Sequence, residues 1–175
     1  MWDLLAGPFL ATAGLLVAAG LPKVRDPLPL VRALRAAGLP GHRTAVRGFA
    51  LGEVALGAWA LVAPGRVVAA LVAAAYLLFT AFVGLVLARG GILGSCGCFG
   101  KPDTPATRTH LVLTASAAGV TLAVALDAPA GAWATVDGAT RTTAGLALVI
   151  GFLAWVVMAV LPTTTPAAVR SASRG

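Results

Sequence analysis

Five stretches of this sequence are long and apolar enough to cross a bilayer, and that pattern limits the fold more than anything else in the chain. A spanning helix needs roughly 17–25 mostly apolar residues. Leu4–Leu21, Ala45–Ala63, Val67–Ala88, His110–Leu126 and Ala144–Leu161 meet or approach that length, with Pro22, Pro64-Gly65, Arg89-Gly90-Gly91 and Pro162 as breaks. A soluble domain carries about a quarter of its residues charged. Here 11% are charged, 59% are hydrophobic and the mean hydropathy is +0.93. A chain of 175 residues has too little interior to hide that much apolar surface from water. The expected fold class is therefore all-α, a polytopic transmembrane helical bundle forming one domain over residues 1–161. The Thr-, Ser-, Ala- and Arg-rich tail, 162–175, has the composition of a disordered segment.

The first span reads as a retained anchor. A signal peptide needs positive charge ahead of its apolar stretch. Here Met1-Trp2-Asp3 precedes it, and Lys23 and Arg25 follow it. The connection from Pro22 to Thr44 is too long for a simple turn. Asp26-Pro27 reads as an N-cap with proline at the first helical position, and Gly38 with Pro40 supplies a stop. Between them Leu30, Val31, Leu34 and Ala37 share one helical face, and Arg32 and Arg35 another. That pattern predicts a short amphipathic helix, about 27–37, lying in the membrane interface; a structured loop is the plainer alternative. Thr104-Pro105 likewise predicts that the fourth helix starts outside the hydrocarbon. Gly48 and Gly52 form a GxxxG in the second span, a weak signal in a chain this rich in Gly and Ala. It predicts close helix packing without specifying a dimer.

The net charge of +7 does not point to nucleic acid. Nucleic-acid binders gather Lys and Arg on an accessible face, commonly with aromatics to stack bases. Here the basic residues fall between apolar stretches, where they meet headgroups of the lipid bilayer and set topology. With five spans, Lys23, Arg25, Arg32, Arg35, Arg43, Arg47, Arg89, Lys101, Arg108, Arg170 and Arg174 share one side. Only Arg66 and Arg141 lie on the other, beside Asp3, Asp127 and Asp137. The positive-inside rule then predicts a plasma-membrane protein with its N-terminus outside and its C-terminus cytoplasmic.

The chain holds 2 cysteines, Cys96 and Cys98, together in one Gly-rich connection. Random placement would bring two cysteines this close only a few per cent of the time. A Cys-Gly-Cys pair closes a small, strained ring, which suits a redox-active disulfide better than a structural one. Gly97 supplies the backbone freedom such a turn requires. Arg89, Lys101 and Arg108 favour the thiolate, the attacking species, and Phe99 can anchor the loop tip in the interface. Soft-metal binding is a second chemistry: two thiolates suit Cu(I), with His110 as a third ligand, although a histidine at a helix start is more often an interfacial residue. Structural zinc would need four ligands, so no metal site is assigned. Lipid attachment to a juxtamembrane cysteine is a third chemistry, with nothing further to mark it. Two small buried loop residues with no reactivity are the plain alternative. No cofactor is indicated.

Glu53 is the other residue that needs explaining. It lies roughly two turns inside the second span, where an ionised carboxylate is costly. Either it is protonated or a cation reaches it, and Lys23 and Arg47 lie on the same side of the membrane. A bundle-orienting ion pair and a part in proton transfer are equally open.

The run Cys96-Gly97-Cys98-Phe99-Gly100 after an apolar span resembles the methylamine utilisation MauE family, within the wider DoxX-like membrane proteins. Lys23 after the first helix, the Asp26-Pro27 to Leu39-Pro40 stretch, Glu53, and Ala88-Arg89-Gly90 before the motif support the resemblance, which covers roughly Leu4 to Leu126. It implies a DoxX-like four-helix core, to which a fifth C-terminal span is added here. It also implies a redox-associated role beside a thioredoxin-like partner in maturing methylamine dehydrogenase, a disulfide-rich enzyme. Relatives occur far from methylamine genes, so the pathway transfers poorly. The family usually has Arg-Asn at the start of its fourth helix, whereas Arg108 here precedes Thr109 and His110. The implied partner works outside the cytoplasm, where disulfides persist, while charge counting puts the cysteines inside.

The leading expectation is a membrane thiol–disulfide oxidoreductase component, in which Cys96 and Cys98 exchange electrons with a thioredoxin-like protein during maturation of a disulfide-containing or quinone-cofactor enzyme. The alternative is a non-enzymatic membrane chaperone or scaffold, with the cysteines incidental or binding copper. Solute transport lacks support, since there is no internal repeat and Glu53 is the only clear intramembrane charge.

Overall fold

A computed structural model describes residues 2–89, 107–127 and 140–156, and every regular element among them is helical. The helices are α1 (Trp2–Arg25), α2 (Leu28–Ala36), α3 (Arg43–Val62), α4 (Arg66–Ala88), α5 (Arg108–Asp127) and α6 (Thr140–Trp155). Four of them, α1, α3, α4 and α5, are long and apolar enough to cross a membrane; α6 is apolar but shorter. Their outward faces carry exposed Leu51, Trp59, Leu71, Leu78, Val112 and Leu122. Apolar side chains around the whole perimeter suit a lipid solvent. The architecture is a polytopic helical bundle.

The spans match the sequence expectation closely, with one instructive difference at each end of the chain. Helix α1 does not stop at Pro22. It runs through both Pro8 and Pro22 to Arg25, and the Asp26 amide donates to the Pro22 carbonyl at 2.8 Å. Proline removes one N–H and crowds the carbonyl four residues back, but nothing forces the next turn to unwind. Lys23 is consequently held in helical register. Helix α6 begins at Thr140, four residues before the expected start. Residues 157–161 of the expected fifth span lie outside the described residues, as do the tail from 162 and the Thr104-Pro105 start of the fourth helix.

Helix α1 is the hub of the bundle. It packs along α3 and also against α6 and α5, while α4 and α5 form a second antiparallel pair. One core joins Phe9, Ala13 and Leu16 of α1 to Ala60 of α3, Val68, Val72 and Tyr76 of α4, and Ala117 and Val124 of α5. Two glycines set the α1–α3 spacing. A Cβ on Gly20 would lie 2.9 Å from the Ala50 carbonyl oxygen, and one on Gly57 would lie 2.7 Å from that of Ala13. The expected GxxxG does not serve this contact. Gly48 and Gly52 are exposed and have open space around them, because they lie on the opposite face of α3.

The short helix between the first two spans exists as α2. Asp26 accepts a hydrogen bond from the Leu28 amide at 3.0 Å, and the stop falls at Gly38, whose φ of 71° is the left-handed conformation that favours glycine. Val31, Ala33 and Ala37 are buried and Arg32 is exposed, so the helix is two-faced; Ala33, rather than Leu30 or Leu34, belongs to the fully buried stripe.

Candidate functional site

The polar centre of the bundle is built by the last turn of α1 and the middle of α3. Gly20 lets the two backbones approach, and Lys23, one turn further on, then faces Glu53. Its Nζ donates to both carboxylate oxygens at 2.8 Å. Lys23 is 2% exposed and Glu53 3%. A lysine near the end of a spanning helix ordinarily extends toward the headgroups. This one turns inward, because a carboxylate roughly 9 Å deeper than Arg47 along α3 gives it a partner there. The Lys23 Nζ also sits 4.8 Å from the centre of the Phe79 ring, which is braced edge-on by Tyr76 and Phe49. The Lys23 Nζ is thus held between a carboxylate and an aromatic face.

Arg47 is not the partner of Glu53. Its Nε donates instead to the Val24 carbonyl at 3.0 Å, closing the end of α1. The reason is position: Arg47 lies on an exposed face of α3 level with the end of α1, whereas Glu53 points into the α1–α3 seam.

A cavity of about 170 Å³ opens beside this pair, between α1, α4, α5 and α6. Lys23, Tyr76, Phe79 and His110 contribute to its wall, with Leu15, Ala117 and Ile150 further along. His110 is 3% exposed. Its Nδ1 is 2.7 Å from the Thr107 hydroxyl oxygen, which also accepts a hydrogen bond from the His110 amide at 3.3 Å. Thr107 therefore caps α5 and orients the imidazole at once. His110 is a buried wall residue rather than an interfacial one. Tyr76 donates to the Thr12 carbonyl at 2.7 Å, tying α4 to α1.

The segment that bears the cysteines springs from this same end. Its first root, Arg89, donates its guanidinium to the Ala37 carbonyl at the end of α2. Its second root is Thr107, followed by exposed Arg108 at the start of α5. Leu87 and Leu111 pack on Val83 and Val86, holding the two roots on neighbouring helix ends. Cys96, Gly97, Cys98, Phe99, Gly100 and Lys101 lie outside the described residues. Among the described residues there is no cluster of three or more His, Cys, Asp or Glu side chains.

Phe79, Tyr76 and Thr107 were not singled out from the sequence, although two of them left traces. Tyr76 is the single tyrosine of the chain and lies inside an aliphatic span, where a phenol needs a partner. Thr107 lies three residues before His110, the spacing of an N-cap hydroxyl and the amide it receives.

No curated protein and no solved structure matches the chain. The family described as methylamine utilisation protein MauE matches residues 1–127, which takes in α1 to α5, the Lys23–Glu53 pair and the whole cysteine-bearing connection, and leaves α6 outside. This multi-pass integral membrane protein belongs to the methylamine utilisation protein MauE family.

Proposed function

We propose that the protein is a membrane thiol–disulfide component in which Cys96 and Cys98 cycle between dithiol and disulfide in exchange with a thioredoxin-like partner. The observation that carries this reading is the isolated Cys-Gly-Cys-Phe-Gly run within the matched family region, on a connection rooted between Arg89 and Arg108. Exchange needs a thiolate, and cationic surroundings favour it. In the oxidising direction one thiolate attacks a sulfur of the partner's disulfide and the partner's other sulfur leaves as thiolate. The second cysteine then attacks the mixed disulfide. Two electrons and two protons pass to the partner, which becomes a dithiol, while Cys96 and Cys98 become a disulfide; the reverse order reduces them. A partner of this class would serve the maturation of a disulfide-containing or quinone-cofactor enzyme, as the resemblance to the MauE family implies.

The same reading takes residues 1–161 as one transmembrane domain in the plasma membrane, N-terminus outside, with the cysteine loop on the arginine-rich cytoplasmic side. Differential alkylation with membrane-permeant and impermeant reagents in intact cells, read by mass spectrometry, tests side and redox state together. The expected result is a Cys96–Cys98 disulfide fraction that rises and falls with the redox poise, and a mixed disulfide trapped when either cysteine is changed to serine. Thiols that stay free under every condition would reject thiol exchange. Full function in the Cys96→Ser/Cys98→Ser variant would favour the scaffold instead.

A further inference from the structure

We propose that the cavity between α1, α4, α5 and α6 binds a single-chain amphiphile drawn from the bilayer, its uncharged head at the Lys23–His110 end and its alkyl chain along α1. Three observations carry the assignment, and none involves the cysteines. The first is shape. The cavity wall runs from Pro8 to Lys23 on α1, which at 1.5 Å per residue is roughly 22 Å. About 170 Å³ spread over that length makes a bore one alkyl chain wide, too narrow for two chains abreast. A compact apolar cavity of roughly 150 Å³ holds a benzene ring; this one has similar space drawn out into a slot.

The second observation is access. Helices α5 and α6 both pack on α1 but scarcely on one another, so the slot opens between them. Ser116 and Ile150, at its rim, are exposed on the face that meets lipid. A chain can enter sideways from the membrane without crossing water. The wider groove between α1 and α6, lined by Gly14, Leu148 and Phe152, lacks this character, because it is open along its length and has no polar end.

The third is polarity. The walls are largely apolar from Ala11 and Leu15 to Val120 and Ala154; Thr12 and Tyr76 also line them, but their hydroxyls donate to the Phe9 and Thr12 carbonyls, while Lys23, His110 and Thr114 gather toward one end. The Lys23 charge is already matched by both oxygens of Glu53. An anionic head would have to compete with that carboxylate and would leave a buried charge in excess. A neutral, hydrogen-bonding head, such as the glycerol ester of a monoacylglycerol, meets the pair without that cost.

The test uses the full chain in phosphatidylcholine nanodiscs with a monoacylglycerol carrying a diazirine midway along its chain. On irradiation, adducts should map to Leu15, Leu113, Ala117 and Ile150, and excess unlabelled monoacylglycerol should suppress them. Filling the slot with Ala117→Leu, or separately with Val120→Phe, should lower competable labelling about tenfold, since the added side chain takes the space of the ligand. The corresponding free fatty acid, ionised at the assay pH, should label more weakly. Adducts confined to outward residues such as Leu122 and Leu148 would overturn the proposal. So would equal labelling by a diazirine phosphatidylcholine, the result of ordinary lipid contact. Mapping on the unaltered protein decides the matter even if a filled variant fails to fold.

Discussion

The two antiparallel seams of this bundle are equally extensive but differ in what makes their closest described contacts. Along α1 and α3 the backbones themselves meet: Gly20 and Gly57 have no room for a Cβ, and Lys23 and Glu53 lock the register one turn beyond Gly20. Helices α4 and α5 pack as extensively, but near their cysteine-side ends the contact is made by side chains: Val83, Val86 and Leu111 pack together, and a Cβ on Gly84 would meet Leu111 at an ordinary 3.7 Å. Lipid removes the hydrophobic drive between helices, so both plans rest on close contact. The first adds an electrostatic constraint that sliding by one turn would break. The polar centre and the slot beside it lie against the stricter seam.

Three destabilising substitutions and one control, Gly84→Ala, sharpen the contrast, each measured by equilibrium unfolding in mixed micelles. The largest effect is expected from Lys23→Met, which leaves Glu53 buried without its cation and should cost about 3–5 kcal/mol. Lys23→Met combined with Glu53→Leu should recover most of that loss if the pair serves only to orient the helices. A double variant that folds well yet loses thiol exchange would instead assign the pair a part in function. Next, Gly57→Val should destabilise by about 1–3 kcal/mol, as overpacking does, while Gly84→Ala should stay within about 0.5 kcal/mol of the parent. Of the three destabilising changes the smallest is Val83→Ala, expected to cost about 1–2 kcal/mol by opening space in a seam that depends on filled volume. If adding atoms at Gly84 hurts as much as adding them at Gly57, the two seams do not differ in kind.

Much of the architecture could be read directly from the residues. Apolar runs of spanning length located α1, α3, α4 and α5 to within a few residues, and the Arg-flanked amphipathic stretch located α2. Proline at position 22 misled, because a proline marks a helix end only when nothing favours another turn; here the helix gains the Lys23–Glu53 contact by continuing. The glycine pattern misled for a related reason. Gly48 and Gly52 have a recognisable spacing but face outward, whereas Gly20 and Gly57 sit in different helices, and no local pattern shows that they approach.

The cysteine pair shows where each source of information stops. Sequence by itself determined that the chain spans a membrane, that its cysteines lie one residue apart on an Arg-flanked connection, and that Glu53 is buried and needs an explanation. Each of these follows from local composition. Only the tertiary structure decided that Lys23 rather than Arg47 answers Glu53, that Arg89 is tied to the end of α2, and that His110 and Tyr76 wall a common cavity. Those outcomes depend on which helix faces meet, and that is set by packing between residues far apart in the chain.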